Sequence, residues 1–272
     1  DDGFSKAWDP GDDDRRTISS TVELRSGEQV TVGLDYSSIL AENMFGSLLD
    51  VRVLEPIPDE LVSEAVDAAR NAEVAIVVVG MDSTWESEGF DRKNIDLPAG
   101  QNDLISAVAA VNPNTVVVMN SGAPVAMPWR DEVAGIVQLW YLGQEAGNAL
   151  ADVLTGAVDA SGRLPTTFPV RLEDVPAMLN YPGENNEVLY GEGLFIGYRA
   201  FDKTKVEPLY PFGFGLSYTT CNLGTPTVSS TTVGAGQALT VTVPVTNSGP
   251  RAGDCIVQLY VRDVESTLVR LG

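Results

Sequence analysis

The chain has 272 residues and contains no histidine. The Ser-His-Asp and Cys-His nucleophile systems both need an imidazole, so neither can be assembled within this chain. The commonest zinc ligand is absent for the same reason. Carboxylates remain as the main groups for acid-base chemistry, and we expect neither a metal site nor a cofactor.

Cysteine and basic residues are also scarce. Cys221 and Cys255 form no CxxC pair, so they indicate neither a redox motif nor a metal knuckle, and they form a disulfide only if the fold brings them together. The chain has 17 Lys and Arg residues and 38 Asp and Glu residues, which gives a net charge of -21. The electrostatic field of this negative charge repels phosphate backbones and anionic lipid, so we expect no nucleic-acid partner.

Long apolar runs are missing as well, since no stretch approaches the roughly 18 residues that a membrane span needs. We therefore expect no membrane partner, while the compartment and the oligomeric state stay open. Asp1 is neither an initiator methionine nor the start of an apolar leader, and the chain stops at Gly272 without a turn signal. We expect a piece of a longer protein.

Residues 56–219 alternate between helix and strand patterns, which is typical of an α/β domain with a mostly parallel sheet and helices on both faces, an α/β sandwich. The predicted helices are 59–71, 98–111 and 145–155, and the predicted strands are 74–79, 115–119 and 136–140. Period-two patterns flank this domain as partial β domains at 1–55 and 220–272. Their predicted strands are 17–24, 29–34, 48–53, 225–230, 239–247 and 255–262.

The loop that follows the first predicted strand of the α/β domain, residues 80–98, is far longer than most strand-to-helix connections. Ligands collect at the carboxyl ends of parallel strands, so this loop is the candidate site. Like charges from Asp82, Glu86 and Asp91 would disfavour ionisation of Glu88, while Arg92 would favour it. A carboxylic acid with a raised pKa suits a general acid, although composition alone favours a solvated acidic loop.

Ordered motifs carry a resemblance to a known family. They are Gly80, Trp85–Arg92 with Leu97, Pro98 and Gln101, Asn120–Val125, Trp140–Gly147, Ser161–Pro169, Tyr190–Arg199 and Tyr210–Tyr218. In this order they resemble the C-terminal α/β-sandwich domain of glycoside hydrolase family 3, the β-glucosidase and β-xylosidase family. The resemblance covers most of residues 70–220.

The resemblance implies a retaining enzyme that hydrolyses terminal β-linked sugars, most simply β-glucosides. Glu88 matches the general acid/base of the family, and Glu86 is the fallback for the same role. Trp85 and Phe90 are candidates for an apolar wall beside the sugar, or alternatively pack the loop onto its own domain. Asp91 and Arg92 are expected to form an ion pair that shapes the loop.

The resemblance further implies a (β/α)8 barrel that carries the nucleophilic Asp. That barrel has no counterpart in this chain, so we expect the chain to be inactive alone and the missing barrel to be its partner. Residues 1–55 resemble the end of a protective-antigen-like carbohydrate-binding insert, and residues 220–272 resemble the start of a fibronectin type III-like β-sandwich.

Two other functions stay open on the residues alone. The chain is alternatively a non-catalytic carbohydrate-binding or scaffolding protein that has lost its barrel. A nucleotide-binding domain is disfavoured, because no GxGxxG follows the first strand of the α/β domain.

Overall fold

The computed structural model describes residue 31 and residues 60–262. The helices are α1 (Leu61–Arg70), α2 (Gln101–Ala109), α3 (Ala146–Thr155) and α4 (Tyr198–Thr204). The strands are β1 (Ala75–Gly80), β2 (Thr115–Asn120), β3 (Gly135–Gln138), β4 (Cys221–Leu223), β5 (Thr227–Val228), β6 (Val241–Thr242) and β7 (Val245–Asn247). Short 3-10 turns lie at Gly143–Glu145, Leu172–Asp174 and Pro176–Leu179.

Strands β1, β2 and β3 form one parallel sheet in that order. Val77 lies opposite Val117, and Val117 lies opposite Ile136. All three strands therefore end at the same edge of the sheet, which is where Gly80 and Asn120 pair. The α/β class and the parallel sheet are confirmed.

One face of the sheet supplies the core. Ala75, Val77 and Val79 are buried, as period two requires, and they share a cluster with Ile105 and Val108 of α2. Two large aromatic side chains from the connecting segments complete that cluster, namely the fully buried Trp129 and Phe168. The packed core thus fixes the edge of the sheet at which residues 81–98 begin.

Backbone conformation explains where elements depart from their predicted ends. Gly100 has φ of +84° and cannot be part of a helix, so α2 begins at Gln101 rather than at Pro98. Trp140 has φ of +58°, so β3 ends at Gln138 instead of reaching Trp140. Helix α3 ends at Thr155 as predicted, and Gly156 caps it with φ of +74°.

Residues 221–262 contain two small antiparallel ladders. Strand β4 pairs with β7, and β5 pairs with β6. Cys221 and Cys255 form a disulfide with their Cα atoms 6.2 Å apart, which answers the question that the sequence left open.

The predicted strand at 255–262 is wrong, since that segment forms no strand. It lies against the α/β domain instead, where Gln258 donates from its amide to the carbonyl of Gly213 (2.9 Å). The Tyr260 ring meets the Tyr198 ring edge-on at 5.6 Å. Alternation predicts a strand only when a partner edge is available, and no described strand pairs with this segment.

The chain divides into two compact units, Asp1–Leu61 and Val62–Gly272. The strands predicted at 17–24, 29–34 and 48–53 lie outside the described residues, so the β domain at 1–55 stays a prediction. The fibronectin-like identity of 220–272 also stays a prediction. Within residues 60–262, no helix has both the length and the hydrophobicity to cross a bilayer.

Candidate active site

The acidic loop, residues 81–98, leaves the carboxyl end of β1 at Gly80. A Cβ at Gly80 would lie 2.1 Å from the backbone oxygen of Asn120, so only glycine allows this approach of β1 to β2. The side-chain amide of Gln101 holds both backbone groups of Gly80, accepting from its N–H (2.9 Å) and donating to its carbonyl (3.0 Å). The first helix after the loop thereby fixes where the loop begins.

Glu86 and Arg92 close the loop at its neck. Nη1 of Arg92 lies 2.9 Å from Oε1 of Glu86, and the same nitrogen donates to the carbonyl of Pro124 (3.1 Å). The two side chains are only 12% and 14% exposed, respectively. An ion pair with this degree of burial is screened far less than a surface pair, so it holds the two ends of residues 86–92 together.

The second oxygen of Glu86 binds groups that follow the next two strands. Oε2 accepts from the backbone N–H of Gly122 (2.7 Å), just beyond β2, and from the hydroxyl of Tyr141 (2.5 Å), just beyond β3. Glu86 therefore links the carboxyl ends of all three parallel strands. We call Glu86, Arg92, Gly122 and Tyr141 the Glu86 cluster.

The tip of the loop carries Glu88. Ser87 and Phe90 form an isolated antiparallel bridge, and the N–H of Gly89 donates to Oγ of Ser87 (3.2 Å), which makes a tight turn. Glu88 is exposed on this turn. Its carboxylate has no hydrogen-bond or ion-pair partner among the described residues. The turn therefore presents a free carboxyl group beyond the edge of the sheet.

The other predicted loop residues have distinct surroundings. Trp85 is half-buried and packs against the core cluster, and Phe90 is half-buried at the end of the tip turn. Asp91 accepts a hydrogen bond from the hydroxyl of Tyr181. The predicted Asp91–Arg92 ion pair is wrong, because Arg92 pairs with Glu86 across the neck of the loop.

The pKa values of Tyr141 and Tyr181 agree with their hydrogen bonds to carboxylates. Burial, followed by the hydrogen bond to Glu86 and the charge of Glu86, raises the pKa of Tyr141 from 10.0 to about 12. The hydrogen bond to Asp91 raises the pKa of Tyr181. Both phenols therefore stay protonated as donors to carboxylates across the range in which enzymes usually work. Among residues 60–262, no group of three or more potential ligands could hold a metal ion.

Sequence reasoning did not assign a site role to Tyr141, Gly122 or Tyr181. Gly122 and Tyr141 lie in the family motifs Asn120–Val125 and Trp140–Gly147, shortly after the second and third strands of the parallel sheet. That position was the available signal, because the carboxyl ends of neighbouring parallel strands meet at one edge. Tyr181 had no comparable signal, since it lies 90 residues from Asp91.

Comparison with known proteins agrees with the motifs. The glycosyl hydrolase family 3 C-terminal domain matches residues 15–218. A β-glucosidase of Rhizobium radiobacter is 43% identical over 99% of this chain and 34% of its own length. Thermostable β-glucosidase B of Acetivibrio thermocellus is 49% identical over 79% of this chain and 28% of its own length. The chain thus spans about a third of the length of the curated relatives that it matches.

Solved structures show the same relationship. The Bifidobacterium adolescentis GH3 β-glucosidase superposes with a TM-score of 0.67 at 46% identity, over 72% of this chain and 29% of that one. The Kluyveromyces marxianus β-glucosidase in complex with glucose gives 0.68 at 42% identity, over 73% and 24%. The ordered motifs, the parallel sheet with its acidic loop and these matches agree. They show that the chain belongs to glycoside hydrolase family 3 and carries the C-terminal domain of that family.

Proposed function

We propose that this chain supplies the general acid/base of a retaining β-glucosidase and that Glu88 is that group. The observation that carries the proposal is the free, exposed carboxyl group of Glu88 on a turn whose neck is fixed to the sheet edge. A proton donor must reach the glycosidic oxygen, so a carboxyl group without other partners is suited to the task. Glu86 is unsuited, because both of its oxygens are already occupied.

The chemistry proceeds in two steps. In the first, the Glu88 carboxylic acid gives its proton to the glycosidic oxygen as the bond from that oxygen to the anomeric carbon breaks. A carboxylate nucleophile attacks the anomeric carbon and forms a glycosyl ester. In the second step, the Glu88 carboxylate takes a proton from water, the water oxygen attacks the anomeric carbon, and the ester bond breaks to free the sugar and the nucleophile.

The nucleophile belongs to the barrel that the family resemblance implies, outside this chain. Retaining glycosidases hold their two carboxyl groups about 5–5.5 Å apart, so Glu88 has to approach the barrel surface closely. An exposed turn at the edge of a sheet is compatible with such an approach. Glucose is the proposed sugar, since the relatives are named β-glucosidases and the Kluyveromyces marxianus structure holds glucose.

The proposal is tested by Glu88→Gln in the intact enzyme that contains this chain. Loss of general acid catalysis lowers turnover by about 10²–10⁴-fold on a glucoside with a poor leaving group. The leaving group of a 2,4-dinitrophenyl glucoside needs little protonation, so turnover of that substrate should fall far less. Added azide should restore turnover of that second substrate, since azide needs no general base, and should yield glucosyl azide.

Glu73→Gln is the matched control. Glu73 is exposed and precedes β1, at the opposite edge of the sheet from the acidic loop. Its variant should turn over both substrates as the unmodified enzyme does. A Glu88→Gln enzyme with unchanged turnover would remove Glu88 from the mechanism, and robust glucoside hydrolysis by the pure 272-residue chain would contradict the external nucleophile.

A further inference from the structure

The Glu86 cluster gathers three hydrogen-bond donors from distant parts of the chain around one carboxylate. A single carboxylate accepts from a guanidinium, a backbone N–H and a phenol, all at 2.9 Å or less. These donors are 6, 36 and 55 residues from Glu86 along the chain. Charge-assisted hydrogen bonds are the strong ones, so a carboxylate that receives three of them hardly moves.

The backbone near Tyr141 is held in a costly conformation. The preceding residue, Trp140, has φ of +58°, a left-handed conformation that costs energy for any residue with a Cβ. The Trp140 ring packs edge-on against the buried Phe168 with centroids 6.1 Å apart. This contact holds the conformation after β3 from which the Tyr141 hydroxyl meets Glu86.

Gly122 is fitted to the same cluster. A Cβ at Gly122 would lie 2.9 Å from a ring carbon of Tyr141 and 3.2 Å from Oε2 of Glu86. The backbone after β2 is therefore in contact with both partners, and a larger residue would push them apart. The ends of β2 and β3 fix the position of one oxygen, which leaves the Glu86 backbone little freedom.

Arg92 depends on Glu86 for its place. Its guanidinium is nearly buried, and its Nη2 atom has no hydrogen-bond partner among the described residues. Without the Glu86 carboxylate, the carbonyl of Pro124 is the one acceptor left for Nη1 within residues 60–262. A buried charge with one acceptor is unfavourable, so loss of Glu86 would displace Arg92 and open the neck of the loop.

We propose that Glu86 is a positioning residue for Glu88, acting through the neck of residues 86–92, which it ties to the carboxyl ends of β2 and β3. The inference rests on the proposed function, in which Glu88 is the acid/base. Glu88 lies two residues from this fixed point on a tight turn, so the place of its carboxyl group follows from the cluster. Displacement by about 1 Å of a positioned catalytic group costs roughly 10²-fold in rate.

The test uses two variants of the intact enzyme, Tyr141→Phe and Glu86→Gln, each assayed on two aryl β-glucosides. One substrate carries a leaving group that needs protonation, and the other carries 2,4-dinitrophenolate, which does not. With the first substrate we expect kcat to fall about tenfold for Tyr141→Phe and about 100-fold for Glu86→Gln. With the 2,4-dinitrophenyl substrate, the fall in kcat on a logarithmic scale should be less than half as large. Neither variant should form glucosyl azide when azide is added.

Tyr218→Phe is the matched control for the phenol. Tyr218 is 41% exposed against 51% for Tyr141, and its hydroxyl donates to the backbone carbonyl of Val153 (2.8 Å), away from the loop. Its variant should keep the kcat of both substrates within about twofold, the scale expected for a surface site. The control separates the loss of a tyrosine hydroxyl in general from the loss of this one.

The possible outcomes separate the inference from the function on which it rests. Unchanged kcat in both Tyr141→Phe and Glu86→Gln would overturn the positioning role and leave Glu88 as the acid/base. Equal losses on the two substrates would also overturn it, because a smaller folded fraction lowers both rates alike. Azide rescue in Glu86→Gln but not in Glu88→Gln would overturn the assignment of Glu88 itself.

Discussion

Gly122 gives a direct test of the packing around Glu86, through Gly122→Ala. The added methyl group would lie 2.9 Å from Cε2 of Tyr141 and 3.2 Å from both Cδ2 of Tyr141 and Oε2 of Glu86. Real Cβ atoms essentially never come within 3.0 Å of another group, so the variant cannot keep this arrangement. Of the two neighbours, the ring of Tyr141 is the freer to move, being 51% exposed.

The size of the effect follows from the distance that the ring must move. To reach an ordinary carbon-carbon contact of 3.5–4.0 Å, the ring must retreat by roughly 0.6–1.1 Å. The hydroxyl of Tyr141 then moves beyond good hydrogen-bond range of Oε2, from which it is now 2.5 Å away. A hydrogen bond to a charged group contributes about 1.5–3 kcal/mol, and half-exposure favours the lower end, so we expect a loss of about 1–2 kcal/mol.

Urea unfolding of the full chain, followed by tryptophan fluorescence, measures this change. Gly147→Ala is the matched control, since Gly147 lies in helix α3 with nothing within 4 Å of the added Cβ. That substitution should raise the unfolding free energy by up to about 1 kcal/mol, because alanine favours a helix. A Gly122→Ala chain as stable as the Gly147→Ala chain would show that the Tyr141–Glu86 contact does not depend on the space at Gly122.

Two further predictions concern a buried amide and a phenol. Asn112→Ala removes the donors to the carbonyls of Ala69 (2.9 Å) and Ala72 (3.0 Å) at a buried site, so the unfolding free energy should fall by about 2–3 kcal/mol in urea titrations. Asn114→Ala, which removes one exposed hydrogen bond, should lower it by under about 1 kcal/mol. Tyr141 should titrate near pH 12 in NMR spectra of 13Cζ-labelled tyrosine, in a resonance that Tyr141→Phe removes. Because its folded pKa is raised, its contribution to stability is complete below about pH 10 and is lost as the pH rises toward 12, whereas a midpoint near 10 would contradict the contact.

The parallel sheet was predictable because its strands are continuous apolar runs. Ala75–Gly80 and Thr115–Asn120 are rich in valine, and strands buried within an α/β domain favour that composition. The long loop after Gly80 was also predictable, because the predicted strand before it and the predicted helix after it mark its two ends. The sequence therefore predicts where the acidic loop begins, at the carboxyl end of β1, and the structure has it there.

The contacts inside the site were not predictable in the same way. The partners of Glu86 lie as far as 55 residues away, and nothing in a loop sequence specifies which distant group a carboxylate meets. The left-handed conformation of Trp140 adds to the difficulty, because a bulky residue rarely adopts it and its sequence carries no turn signal. The sequence favours Asp91, the neighbour of Arg92, as its partner, whereas the structure pairs Arg92 with the nearly buried carboxylate of Glu86 across the loop.

The two glutamates of the loop differ because of what surrounds them rather than because of their sequence spacing. Residues 86 and 88 are close enough in sequence for either to be aligned with an acid/base position. Glu86 accepts from three donors, and these occupy both of its oxygens, so neither is left to meet a sugar. Glu88 stands on the turn with no such partner. One carboxylate is thus suited to hold the loop and the other to exchange a proton, and each role depends on the other, since a free carboxyl group is useful in catalysis only where its backbone is fixed.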